Sequence, residues 1–211
     1  SGAPRRVKPV DVYVHFYSAE KYAAIAALGA VYDWAHAQPL HPVFMGRYVA
    51  SVRDFFEVSM ERLGSGRFRL SGGPQLRTLR FDDAVGEPDL AASKGVLGFK
   101  RELGSLFVHL DGSPVREVVL AAKPPRRVYL EEANFELTDW SAGPSRGRFR
   151  KSGWWTSQAG LAGLPPGGRY KVSGAGLDAV LTAGADGRLA LEFPDAERGG
   201  PAREVVVESV R

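Results

Sequence analysis

The chain has 211 residues, 44% hydrophobic and 25% charged, which is enough apolar material for one large or two small cores and too much for a disordered chain. It has no cysteine, so disulfides, thiolate metal sites and cysteine nucleophiles are excluded. The net charge of +4 is spread out, with seven Lys/Arg against six Asp/Glu over residues 1–64 and 21 against 18 beyond, so neither part reads as a nucleic-acid module.

No apolar run approaches the ~18 residues of a membrane span. The opening SGAPRRVKP carries neither an initiator Met nor an apolar signal region and reads as the start of an excised piece of a longer protein. Val10 to Tyr17 is a nearly continuous apolar run, which predicts a buried parallel strand. Ser18 is placed as an N-cap with Glu20 in the first turn. Ile25, Leu28, Tyr32 and Ala35 then give one apolar face of a helix that Pro39 ends. His41–Met45 is a short strand candidate. Tyr48, Val52, Phe56, Met60 and Leu63 predict a second helix closed by Gly64. Two successive strand–helix units imply parallel strands.

From residue 65 the helical period is gone. Twelve short period-two runs follow: 67–70, 75–81, 96–101, 106–110, 117–121, 127–131, 135–138, 147–151, 170–173, 177–182, 189–193 and 204–207. Asp111-Gly112, Pro165-Pro166-Gly167-Gly168 and Ala185-Asp186-Gly187 are turn signals, and LTAGADGRLALEF reads as a hairpin. The expected fold class is α+β. A βαβα segment over residues 1–64, like the end of a barrel, precedes an antiparallel β-sandwich over residues 65–211.

Four groups of residues invite chemistry. His15 lies at the C-terminal end of its expected strand, where βα barrels place reactive groups, and an imidazole there suits acid–base work; the alternative is a core histidine bonded to backbone. His36 and His41 lack a ligand spacing, and His109 sits on a predicted strand as a structural residue. Asp11 and His15 are about 13 Å apart along a strand and cannot share one metal, so no complete metal site is visible. Trp154, Trp155 and Tyr170 are candidate sugar platforms. Neighbours on a strand face opposite ways, so at most one of the two tryptophans enters the core, and loop packing is the alternative for the other. Arg146, Arg148 and Arg150 alternate onto one strand face, where they would read carboxylates or dock an acidic partner, or simply be a solvated outer face.

The segment VYVHFYSAEKYAAIAALGAVYDWAHAQPLHPVFMGRYVASVRDFF resembles the closing part of the deacetylase domain in the Pel exopolysaccharide modification protein (PelA) family. The shared features are the His-aromatic-Tyr-Ser run, the VYDWA stretch and the QPLHPVF link. EEANFELTDW is similar to a strand of that family's C-terminal β-domain. The resemblance covers residues 10–63 well and the sandwich loosely. It implies a metal-dependent polysaccharide deacetylase, like carbohydrate esterase family 4, in which His15 takes the place of the late His that protonates the leaving amine. A zinc-like divalent metal is expected in the parent protein, with its ligands upstream of residue 1, and no cofactor in this piece. The implied setting is the periplasm, with an amino-sugar polysaccharide as substrate and other exopolysaccharide secretion proteins as possible partners. The expected function is therefore the C-terminal part of a biofilm-matrix deacetylase, inactive as an isolated piece. The alternative is a non-catalytic carbohydrate-binding or protein-docking sandwich.

Overall fold

The computed structural model describes residues 9–38, 40–153, 156–194 and 200–210. The chain divides into two compact units, residues 1–41 and 42–211.

In the first unit Val10–His15 carries no regular structure, against the strand expected there. A parallel strand exists only through a neighbour that supplies ladder partners, and among the described residues no strand pairs with this run. A 3-10 turn, Phe16–Ala19, follows, with Ser18 inside it rather than capping a helix. Helix α1 (Tyr22–His36) begins beyond Lys21, which offers no side-chain cap. Its apolar stripe forms as the spacing predicts, yet none of its residues is buried.

No strand forms over residues 41–44, where one was expected, and the second unit opens with an irregular 42–44 link and helix α2 (Met45–Glu57). The helix stops six residues before Leu63. Val58 turns to an extended conformation (ψ 133°), and the segment read as the last helical turns becomes a strand. Fifteen strands then run in order among the described residues: β1 (Ser59–Gly64), β2 (Arg67–Ser71), β3 (Thr78–Asp82), β4 (Glu87–Pro88), β5 (Val96–Glu102), β6 (Ser105–Leu110), β7 (Val115–Ala121), β8 (Tyr129–Ala133), β9 (Glu136–Ala142), β10 (Arg146–Ser152), β11 (Ser157–Ala162), β12 (Arg169–Gly174), β13 (Leu177–Thr182), β14 (Leu189–Phe193) and β15 (Arg203–Ser209).

The strands form three sheets, ordered β1-β2-β7-β4, β13-β12-β15-β10-β9 and β14-β11-β8-β5-β6-β3. The antiparallel β-structure is as expected, but it contains two cores instead of one. Val128, Leu130, Leu161, Leu191 and Phe193 of the six-stranded side meet Phe149, Tyr170, Val172, Val205 and Val207 of the five-stranded sheet. At the other end Phe99, Leu106, Val108 and Leu110 meet Leu70 and Val118 of the four-stranded sheet. Leu130 joins the first core and its neighbour Tyr129 packs on the second. Adjacent strand residues face opposite ways, so the two cores lie on opposite faces of the shared sheet.

The shared sheet is two antiparallel triplets joined along one parallel pair, β5 with β8, in register at Gly98 and Leu130. A register shift between Val96 and Gly98 makes Leu97 the extra residue of a bulge and sends it to the first core, while Val96 and Phe99 serve the second. A Cβ on Gly98 would collide with the Leu130 carbonyl oxygen and stand 2.6 Å from its nitrogen. The LTAGADGRLALEF segment corrects another expectation. β13 and β14 sit in different sheets, so it is a corner between sheets and not a hairpin. Both turn types use the same glycine and Asp chemistry; here Gly187 has φ 76° and the Asp186 carboxylate accepts the Arg188 N–H at 3.1 Å.

Helix α2 is held by its polar side. Arg47 donates to both carboxylate oxygens of Glu136 on β9 and to Gln75 Oε1 at 3.2 Å. The buried Asp54 accepts the Gln75 backbone N–H at 2.7 Å. The loop that receives them is fixed from beneath by Arg116, fully buried, which donates to the carbonyls of Gly72, Gly73 and Leu76. The opposite side of α2 points outward with Met45, Tyr48, Val49, Val52, Phe55 and Phe56, the last two 67% and 81% exposed.

If the β5–β8 approach organises the second unit, Gly98→Ala should lower its unfolding free energy by about 3 kcal/mol, the upper end of overpacking costs. Urea unfolding followed by tyrosine and tryptophan emission measures this, and an unchanged midpoint would refute it.

Candidate functional site

His15 ends its extended run exposed to solvent. Its ring is edge-on to Tyr13 at 5.1 Å and stacked on Tyr17 at 5.0 Å with an interplanar angle of 10°. Side chains two apart in an extended chain share a side, which brings Tyr13 beside His15, and the 3-10 turn that begins at Phe16 brings Tyr17 onto the imidazole. The imidazole is thus oriented by aromatic neighbours and accessible, and it is not a core histidine. Trp154 and Trp155 lie outside the described residues. Tyr170 is only 1% exposed, in the first core, so it offers no sugar platform. Trp140, its aromatic companion in the sequence, packs on the same core with its ring 6.0 Å from Phe149.

Arg146, Arg148 and Arg150 do share the outer face of β10, alternating with buried Gly147, Phe149 and Lys151. They do not form a free basic stripe. Arg146 pairs with Glu208 at 3.0 Å, Arg148 pairs with Glu204, and Arg150 donates to the Ala202 carbonyl at 2.8 Å. The antiparallel register of β10 with β15 sets Arg146 against Glu208 and Arg150 against Glu204. Lys171 on β12 likewise pairs with Asp178 on β13. The face is an alternating-charge lattice of solvated pairs, each worth about 0–1 kcal/mol.

A concave site appears where no motif marked one. Phe99 of β5 and Tyr129 of β8 stack across the parallel pair, ring centroids 4.3 Å apart and 12° from parallel. The four-stranded sheet ends at β4, while the six-stranded sheet continues past it under β8 and β11. The step between them is a cleft of about 390 Å³. Its floor is Tyr129 with Ala162 and Gly163. One wall is Glu87, Pro88 and Leu90, and the other is the Pro124–Arg127 link with Asp186 and Arg188 from the β13–β14 corner. Burial first, then the nearby Glu131 and Glu87 carboxylates, raise the Tyr129 pKa, so the phenol stays protonated at neutral pH. Arg188 is tied to Glu131 and, at 3.6 Å, to Asp186. Arg126 and Arg127 have no ion-pair or hydrogen-bond partner among the described residues. The sequence signal for this site was Lys-Pro-Pro-Arg-Arg ahead of a strand: a stiff link carrying adjacent cations.

Among the described residues no group of three or more His, Asp or Glu is placed to hold a metal ion. No helix among the described residues is long and apolar enough to cross a membrane. No protein-family model, no curated protein and no solved structure matches the chain.

His109 is the histidine placed as structural. Nε2–H donates to the Glu131 carbonyl at 2.7 Å, and burial lowers its pKa below the ordinary histidine value. The unfolded chain then binds a proton that the folded one refuses, so this group's contribution is complete above about pH 6.5 and is lost as pH falls through the lower folded value. The wild-type melting temperature should therefore drop between about pH 7.5 and 5 more than that of His109→Gln, which keeps a donor without titrating. Parallel pH profiles for the two proteins would sink this assignment.

Proposed function

We propose that this chain is the C-terminal part of a periplasmic, polysaccharide deacetylase-like protein that acts on an amino-sugar polymer of the biofilm matrix, with the β-rich unit as its accessory module. The observation that carries the reading is the inverted amphipathy of α2. Its polar side is pinned to the β-unit while Met45, Tyr48, Val49, Val52, Phe55 and Phe56 point outward. A contiguous apolar face of that size is made to be covered. Closing helices of a catalytic barrel have such a face, and the resemblance over residues 10–63 names that kind of body. α1, without a buried residue, fits the same description.

In this reading His15 supplies the proton to the leaving amine. The Tyr13 and Tyr17 rings fix its direction, and its exposure leaves it open to substrate. The second reading, a free-standing carbohydrate-binding module, is favoured by the cleft beside β4.

In a longer protein that contains this chain, acetate should be released from N-acetylated amino-sugar oligomers, and His15→Ala should lower kcat by about 10²-fold. Val52→Asp with Phe56→Asp should lower the melting temperature of that longer protein and leave that of the 211-residue chain unchanged. Full turnover by the His15 variant removes it from the chemistry. Equal melting of the longer protein with and without the α2 changes removes the covering body.

A further inference from the structure

We propose that the cleft over Tyr129 binds a saccharide bearing a carboxylate, such as a segment of a uronic-acid-containing glycan. The inference concerns the second unit alone and stands independently of any role for His15.

Three properties of the cleft select this chemistry. The first is size: about 390 Å³ lies within the range of small-molecule sites. Its walls are stiffened by Pro88, Pro124 and Pro125, so little conformational freedom is lost when it fills. The second is the floor. Tyr129 is backed on one face by Phe99, which holds the ring in place, and its hydroxyl has no hydrogen-bond partner among the described residues. A pre-oriented aromatic ring with a free phenol suits the apolar face and hydroxyl edge of a pyranose. The third is charge. Arg126, Arg127 and Arg188 oppose Glu87 and Asp186, which leaves one net positive charge.

Arg188 is already engaged by Glu131 and Asp186. The surplus therefore resides on Arg126 and Arg127, two exposed guanidinium groups that line the cleft and could each donate to a carboxylate. Glu87 and Asp186 accept from sugar hydroxyls. A uronate brings one negative charge per sugar, which the single net positive charge of the cleft balances, whereas a polyphosphate brings several charges at one point beside Glu87 and Asp186, which argues against a nucleotide. A polyacidic peptide meets the same repulsion with no hydroxyls to offer.

The test titrates the 211-residue chain with trigalacturonate and with a hyaluronan tetrasaccharide, following amide chemical shifts. At least one should bind with Kd of about 1 mM or tighter. It should shift Tyr129 and Gly163, and it should weaken at least tenfold in Arg126→Gln/Arg127→Gln. These two side chains are exposed, so the fold is retained. A neutral N-acetylglucosamine trimer should bind at least tenfold more weakly than the acidic sugar. Binding of neither uronate, equal binding of the neutral trimer, or no effect of the arginine changes would each overturn the proposal. So would citrate binding as tightly as the sugars, which marks a bare anion site, or a tetraglutamate peptide binding more tightly.

Discussion

The second unit depends on a backbone approach that only glycine permits. Two sandwiches with cores on opposite faces of one sheet must meet somewhere, and they meet where Gly98 lies against Leu130. A side chain there would force β5 and β8 apart and split the six-stranded sheet into its two triplets. The bulge at Leu97 belongs to the same device. It lets a single strand give Val96 and Phe99 to one core and Leu97 to the other, which strict alternation forbids. The offset of the two covering sheets follows, and the cleft is the uncovered step. Phe99 and Tyr129 stack at its floor because the parallel pair brings them into contact.

Charge is handled in two opposite ways. On the outer faces it is cancelled across strands: Arg146 with Glu208, Arg148 with Glu204, Lys171 with Asp178, and Arg67 and Arg69 with Glu117. Hydrogen bonds from the last two arginines hold the Glu117 pKa below the usual carboxylate value. Such pairs set register more than they stabilise. Inside, Arg116 is bonded to three carbonyls of one loop; burial lowers its pKa, and the nearby Asp111 and Asp54 carboxylates oppose that shift. A buried guanidinium is tolerable only with that many partners.

Period-two alternation made most of the β-unit legible: all twelve runs read from the sequence overlap strands. The failures have physical causes. Met60 and Leu63 continue the spacing of Tyr48, Val52 and Phe56, so one stripe covered a helix and the strand after it. What breaks the helix is the turn of Val58 to an extended conformation, and no proline or glycine announces it. β11, Ser-Gln-Ala-Gly-Leu-Ala, went unread because small residues carry little hydrophobic contrast, although it is a central strand between β8 and β14. The β13–β14 corner was read as a hairpin because turn residues report local curvature and not which sheet receives the next strand. Tyr170 was offered as a platform because an aromatic on a strand has two possible faces, and the sequence does not say which is covered. The cleft is assembled from five separated segments, so no single stretch displays it.

The manner in which α2 is attached gives its outward face meaning. A helix whose apolar stripe is exposed would ordinarily roll until the stripe lies on the nearest apolar surface, since each large side chain withdrawn from water is worth about 1.5–3 kcal/mol. Here Asp54 and Arg47 are committed to Gln75 and Glu136, and Gly73 lies too close to Val58 and the Asp54 carbonyl to admit even a Cβ without displacement. Rolling the helix would leave a buried carboxylate and the Gln75 N–H unsatisfied, a cost of the same order. The polar contacts therefore oppose self-burial and keep Phe55 and Phe56 presented outward. An apolar face held out in this way reads as the receiving half of an interface.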